Sequence, residues 1–317
     1  SSVVLAGEGT FSFSGNTITF TPASDFVQTI LADLTRLVPV YDTDGVTVIG
    51  LEATVPPIMY QLKDVNGRVV TASYTPRVFF PNPVAAPDYS RGPANAPQRQ
   101  QVLGNDAATG TRLVPSTLKL IDPATNQAVN SPTVPVAGEG TFHFEGDTIT
   151  FTPDMDALVE TLRLDLVAHG STYQNSRLHA VYENGVYMGL EADITPISYK
   201  LQDEFGRWVT TTYYPKVFFP KPAADPDTSE GKKNERQTKA VILNDDPSLG
   251  VVFDNTYLKI WDQAANNGAG AWGTTPVVTR DGTYTVEAAD GIVLAAGLGG
   301  NKQVLASSLN AAGAYNL

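Results

Sequence analysis

The sequence predicts an all-β fold, arranged as tandem Ig-like β-sandwich repeats with short helical insertions. Three observations predict it. Blocks of sequence recur in the same order along the 317 residues. Short runs of alternating apolar and polar residues are separated by turn residues at regular intervals. Charged residues make up only 17% of the chain, and the balance of Thr, Val, Gly, Pro and aromatics favours strands and tight turns.

The repeat sets the organisation. Gly7-Glu8-Gly9-Thr10-Phe11 returns as Gly138-Glu139-Gly140-Thr141-Phe142, and Thr17-Ile18-Thr19-Phe20-Thr21-Pro22 returns as Thr148-Ile149-Thr150-Phe151-Thr152-Pro153, both 131 positions on. Gly50-Leu51-Glu52-Ala53 returns at Gly189-Leu190-Glu191-Ala192, and Val78-Phe79-Phe80-Pro81 at Val217-Phe218-Phe219-Pro220, both 139 positions on. The second copy therefore carries eight extra residues between the two pairs of blocks. Thr117-Leu118-Lys119-Leu120 is matched by Tyr257-Leu258-Lys259-Ile260. Gly282-Thr283-Tyr284-Thr285-Val286 opens a third start. The expected domains are a first repeat over 1–111 lacking its opening strands, a complete repeat over 112–249, and the opening strands of a third repeat, or a donated tail, over 250–317.

Within each repeat the elements follow from periodicity. Phe11 and Phe13, then Ile18 and Phe20, alternate with Ser and Thr around Ser14-Gly15-Asn16, which predicts a hairpin with one apolar face. Ile58, Tyr60 and Leu62 alternate up to the turn Asp64-Val65-Asn66-Gly67, and Val70, Ala72 and Tyr74 alternate after it. The second copy repeats this through Ile197, Tyr199 and Leu201, the turn Asp203-Glu204-Phe205-Gly206, and Val209, Thr211 and Tyr213. Phe142, Phe144, Ile149, Phe151, Tyr199 and Leu201 are the expected core of that copy. Phe26, Ile30, Leu34 and Leu37 stand at helical spacing after a Ser24 cap, as do Met155, Leu158, Val159, Leu162 and Leu166, so a short helix is expected in each copy. Pro-rich polar connectors run from Pro81 to Leu103 and from Pro220 to Leu243.

Leu113 to Leu120, Asp122-Pro123-Ala124-Thr125, Val136 to Phe142 and Ile149 to Pro153 together resemble the CshA-type fibril repeat of Gram-positive and actinobacterial surface adhesins. Ala86-Pro87-Asp88, Pro97-Gln98 and Leu103-Gly104-Asn105-Asp106 resemble that family's linking segment, and the series from Ala224 through Gln237 to Asp245 matches it better. The resemblance covers roughly residues 5 to 290. It implies β-sandwich modules in a stalk that projects an adhesive domain from the cell wall, hence an extracellular protein on a bacterial surface. Residues 26–55 and 157–192 are longer than the usual repeat, and the tail after Gly291 departs from the pattern.

Composition narrows the function classes. The net charge of -12 disfavours nucleic-acid partners. No apolar run approaches the ~18 residues of a membrane span, so no membrane insertion is expected. With no cysteine there is neither a disulfide framework nor a thiolate metal site. The scattered His143, His169 and His179 lack zinc-ligand spacing. The acidic turns Asp42-Thr43-Asp44-Gly45 and Asp245-Asp246 read as hairpin residues before calcium loops. No catalytic, cofactor-binding or metal residues are assigned and no cofactor is expected. The alternative from another class is a carbohydrate-active enzyme or its accessory domain, which repetition of the unit argues against.

One covalent possibility is weighed. Lys119, Glu191 and Asn244 have the residue types of a Lys–Asn isopeptide crosslink promoted by a buried acid. Alternation of Lys119 with Leu118 and Leu120 places it facing solvent, so no such bond is expected. The reading is a non-enzymatic structural stalk. Its expected partners are neighbouring repeats or copies of itself, and a host matrix protein or other cells through a part outside this sequence. The split repeat leaves three arrangements: a longer stalk, a tail closed on its own head, or a filament joined head to tail by strand complementation.

Overall fold

The computed structural model describes residues 2–173, 175–232, 236–237, 239–242, 245–246, 253, 257–273, 276–279, 282–284 and four strand segments beyond residue 291. Among the described residues it is all-β, with two α-helices. The first module begins with β1 (Ser2–Leu5), β2 (Gly9–Ser14) and β3 (Thr17–Pro22), a three-stranded antiparallel sheet. After α1 (Phe26–Ala32) come β4 (Leu37–Tyr41), β5 (Val48–Thr54), β6 (Ile58–Lys63), β7 (Val69–Tyr74) and β8 (Arg77–Pro81). Strands β4, β5 and β8 form a second sheet, and β6 and β7 form a hairpin. Phe11, Phe26, Ile30, Ala53, Val55 and Phe80 make the core between them.

The second module repeats this plan and adds strands to it. It contains β9 (Asp88–Pro93), β10 (Gln98–Gln101), β11 (Leu113–Asp122), β12 (Gln127–Ala128), β13 (Thr133–Val136), β14 (Gly140–Glu145) and β15 (Thr148–Pro153). After α2 (Met155–Ala168) follow β16 (Leu178–Glu183), β17 (Val186–Asp193), β18 (Ile197–Asp203) and β19 (Trp208–Pro220). One sheet runs β10-β15-β14-β13; the other runs β12-β11-β18-β19-β17-β16, with β9 lying parallel against β19. The two sheets share one core, in which Phe142, Ile149, Phe151, Tyr199 and Leu201 are fully buried and Phe144 is partly buried. The strand register expected from alternation therefore holds.

The Gly-Glu-Gly block has a structural cause. Gly140 sits at φ +151, and a Cβ there would meet the Thr152 carbonyl oxygen at 2.3 Å. Only glycine lets β14 lie this close to the end of β15. Between the glycines, Glu139 is buried and accepts from the Thr195 amide at 2.7 Å and from the Arg177 guanidinium at 2.9 Å. In the first module Glu8 takes both Arg36 amines, at 2.7 and 2.8 Å. A buried carboxylate needs such partners, which makes this pair a fixed strut of the module.

Both helices form where helical spacing was read. In α2 Leu158 and Leu162 are buried and Leu164 is exposed, as helical spacing requires. Its cap is Asp154, whose side chain accepts from the Ala157 amide. Helix α1 is shorter: it stops at Ala32, Leu34 turns to solvent, and Leu37 opens β4.

The boundaries drawn from the repeat shift in space. Strand β10 (Gln98–Gln101) pairs with β15 and β9 pairs with β19, so residues 88–101, expected in the first repeat, are built into the second module. The strands of that module thus run from β9 to β19, so its paired backbone begins before residue 112. Sequence similarity marked where blocks recur; hydrogen bonding decides which body a connector joins. The modules also touch directly. Phe205 in the β18–β19 turn meets Phe80 edge-on at 4.9 Å, and Arg207 donates to the Phe80 carbonyl at 2.8 Å.

Candidate assembly site

Four polar residues fasten the connector into the second module. Tyr199 on β18 and Tyr213 on β19 are fully buried, and Asp88 and Gln98 are nearly so. The Tyr213 hydroxyl lies 2.6 Å from Ser90 Oγ, which donates to Gln98 Oε1 at 2.7 Å. Gln98 Nε2 donates to the Lys216 carbonyl at 3.0 Å. Gly92 lets Gln98 lie across the chain, since a Cβ there would meet its Cγ at 2.5 Å.

The Tyr199 hydroxyl is ringed by three acceptors: Asp88 Oδ2 at 2.8 Å, the Val102 carbonyl at 2.8 Å and Asp106 Oδ2 at 3.2 Å. A hydroxyl carries one proton. The cluster is satisfied when a carboxyl is itself protonated and donates back. Burial pushes Asp88 up to about 6, with the neighbouring Asp106 charge adding to the rise and the Tyr199 hydrogen bond opposing it. Burial also raises Asp106. Burial and the two carboxylates raise Tyr199, which stays a neutral donor at any physiological pH. This arrangement clamps β9 and the 102–106 turn to β18.

The first module carries counterparts of the two clamp tyrosines. Tyr60 and Tyr74 stand where Tyr199 and Tyr213 stand in the second copy, 139 positions earlier. Among the described residues the Tyr60 hydroxyl makes no hydrogen bond. Among the described residues no strand pairs at the edges that β10, β11 and β9 occupy in the second module. Phe13 is 56%, Leu62 59% and Val70 62% exposed, whereas Leu201 is 0% exposed and Phe144 and Val209 pack against the core. Among the described residues no strand pairs with the outer edges of β3, β6 or β7.

The polar residues of the connector return after the second module. The described residues within 223–246 repeat bonds made within 84–107. The bridge Ala223–Asp246 copies Val84–Ala107. The Asp225 amide donates to Asp245 Oδ1 at 2.7 Å, as the Ala86 amide donates to Asp106 at 2.9 Å. Ser229 donates to Gln237 at 2.7 Å, as Ser90 does to Gln98, and Gly231 again makes room for the glutamine. Asp227, the counterpart of Asp88, has a buried Oδ1 with no hydrogen bond, 3.4 Å from Lys239 Nζ. Further on, β20 (Ile260–Asp262) pairs with β21 (Ala271–Gly273), and Leu258 and Ile260 are only half-buried where Leu118 and Leu120 are buried.

The residues singled out for other chemistry are placed as follows. Lys119 Nζ donates to Asn130 Oδ1 at 3.0 Å at the surface. Glu191 binds Arg91 at 2.6 Å and Lys216 at 2.9 Å. Strands β18 and β19 lie between their two strands, so Lys119 and Glu191 are not brought together; Asn244 lies outside the described residues. His143 meets Thr133, His169 closes the end of α2, and His179 meets Asp193. Asp42 and Asp44 bond the amides of their own turn. Asp245 holds the Asp225 amide. Among the described residues no group of three or more acidic or histidine side chains is placed to hold a metal.

The clamp is not apparent in the sequence, where Tyr199 and Tyr213 read as strand residues and Asp88, Gln98 and Asp106 as connector. The available signal was the return of Asp88, Ser90, Gln98 and Asp106 as Asp227, Ser229, Gln237 and Asp245 at one constant spacing. Polar residues that return at fixed spacing inside a connector point to fixed partners. No helix is long and apolar enough to cross a membrane among the described residues. Comparisons with protein-family models, with curated proteins and with solved structures found no match.

Proposed function

We propose that this chain is a structural segment of a bacterial cell-surface fibril or adhesin stalk, acting as a mechanical spacer outside the cell. One observation supports it above the others. The connector between the modules is itself a strand of the next module: six residues of β9 lie in register with Tyr213–Phe218 of β19. Pulling the modules apart loads that parallel pair in shear, with its hydrogen bonds and the buried clamp resisting together. A loose linker would extend first. The contacts of Phe205 and Arg207 with Phe80 restrict bending at the same joint. Within this proposal the two-layer modules are Ig-like sandwiches, and adhesion to a host matrix protein or another cell belongs to a part outside these residues.

Antibodies raised against the 317-residue chain test the reading on intact source cells. Labelling of surface fibrils on unlysed cells supports it. Labelling that appears only after lysis overturns it.

A further inference from the structure

We propose that the outer face of the larger sheet of the second module, centred on Lys119, Lys200 and Trp208, binds an anionic polysaccharide. The inference goes beyond the mechanical reading and holds whether or not the chain is a stalk.

The face opens on a like-charge pair. Lys119 on β11 and Lys200 on β18 are direct cross-strand partners. Like charges directly opposite each other destabilise a sheet. Among the described residues neither lysine makes an ion pair. Lys119 Nζ meets Asn130 Oδ1 at 3.0 Å, and Lys200 Nζ sits 4.5 Å from the centre of the Trp208 ring. The carboxylates of these two strands, Asp122 and Asp203, share the parity of the core residues Leu120 and Leu201, and β19 carries none. Asp122 accepts from the Ala124 amide and Asp203 binds Arg207. Farther along the face, Glu191 and Asp193 on β17 are taken up by Arg91, Lys216 and His179. With a net charge of -12 the chain repels polyanions in general, so this unneutralised pair of cations is a local exception.

Aromatic rings continue the face along β19. Trp208 and Tyr214 are exposed on it, about 20 Å apart along the strand. Tyr89 on β9 is the parallel partner of Tyr214, and their rings stack at 5.4 Å. Between Trp208 and Tyr214 stand the exposed Thr210 and the hydroxyls of Ser198 and Thr212, 2.9 Å apart. The fold does not require these outward residues. Core positions return between the copies, Tyr60 as Tyr199 and Tyr74 as Tyr213, whereas Lys200, Trp208 and Tyr214 stand where the first copy has Gln61, Val69 and Thr75.

The chemistry selects the partner. An exposed aromatic ring offers a flat apolar surface on which the C–H face of a sugar stacks. Sugar hydroxyls reach the Ser and Thr hydroxyls, and a carboxylate or sulfate meets the two ammonium groups. An acidic peptide suits the face less well, because an extended peptide joins a sheet at an unpaired edge and β18 is paired on both sides. Rings and cations spread over about 20 Å of flat sheet suit an extended polymer whose weak contacts add.

Affinity electrophoresis of the full chain in native gels tests the proposal. The gels hold polygalacturonate, dextran sulfate, neutral dextran or poly-L-glutamate. The proposal expects retardation by polygalacturonate, dextran sulfate or both, which tells carboxylate from sulfate, and little by the other two. Added salt should weaken it. Lys119→Gln combined with Lys200→Gln should weaken binding about tenfold, and Trp208→Ala several-fold. Lys200→Arg and the first-module control Lys63→Gln should keep it. All these side chains lie at the surface, so the melting transition of the second module should not move. Absence of retardation by both polyanionic polysaccharides overturns the proposal. So does equal retardation by neutral dextran, which removes the role of charge, or by poly-L-glutamate, which makes the partner an acidic peptide. Retardation that survives the double lysine change also overturns it, because another surface then binds.

Discussion

Replacing Tyr199 by Phe removes one oxygen from the centre of the clamp and leaves the ring that fills the core. That oxygen lies within 2.8 Å of Asp88 and Val102 and 3.2 Å of Asp106. A hydrogen bond to a charged group contributes about 1.5–3 kcal/mol, and a buried carboxylate stripped of its donor costs a similar amount. At pH 8 Asp88 is ionised, because burial raises it only to about 6. The expected loss there is about 2–3 kcal/mol. At pH 5 Asp88 is protonated and the hydroxyl serves a neutral partner, so the loss falls to about 1 kcal/mol. Urea unfolding of the full chain at both pH values, followed by circular dichroism and tryptophan fluorescence, gives the comparison. The matched change Tyr60→Phe, in a dilute sample, should cost less than about 0.5 kcal/mol because that hydroxyl has no partner to lose. A Tyr199→Phe cost below about 0.5 kcal/mol at pH 8, or a larger cost at pH 5 than at pH 8, would refute the reasoning.

Four further outcomes are expected. Phe151→Ala should destabilise the second module by ~3–5 kcal/mol in urea titration, since the ring is wholly buried between the sheets; a loss under ~1 kcal/mol means the site collapses or the ring is not core. Asp88 has a folded pKa above its unfolded value of 3.8, so the folded module binds the proton more tightly between the two. Its contribution to stability is full below about pH 4 and is lost as pH rises through about 6, and Asp88→Asn should flatten that part of the stability–pH curve; an unchanged slope contradicts the assignment. Intact mass spectrometry should return the full sequence mass with no loss of ammonia; a deficit abolished by Lys119→Ala would establish an isopeptide bond. Phe205→Ala combined with Arg207→Ala should split calorimetric unfolding into two better-separated transitions, because both side chains reach Phe80 across the joint; an identical trace means the joint carries no coupling.

Much of the fold was legible in the residues. Period-two alternation placed β14, β15, β18 and β19 and their buried faces, since a one-residue slip would expose Phe151 and Tyr199 together. Helical spacing found α1 and α2, though not the end of α1: Asp33 caps the turn that follows by accepting from Thr35, and this competes locally with a longer helix. The ownership of residues 88–101 was not legible. A connector rich in Pro, Gln and Arg has no apolar period, and its place comes from backbone pairing with β15 and β19 far along the chain. The clamp was hidden for the same reason. Tyr199 and Asp88 are 111 residues apart, and neither the alternation of β18 nor the composition of the connector shows that they meet. The buried roles of Glu8 and Glu139 were equally invisible, because an acidic residue between glycines reads as a solvent turn until Arg36 and Arg177 close over it.

The central claim is that the second module is closed by strands from the segment before it, β9 against β19 and β10 against β15. Amide hydrogen exchange on the full chain tests it most directly. The bonded amides of 88–101 should exchange as slowly as those of 208–220, while the outer-edge amides of 58–63 exchange fast. Exchange across 88–101 as fast as that of 58–63 would contradict the account.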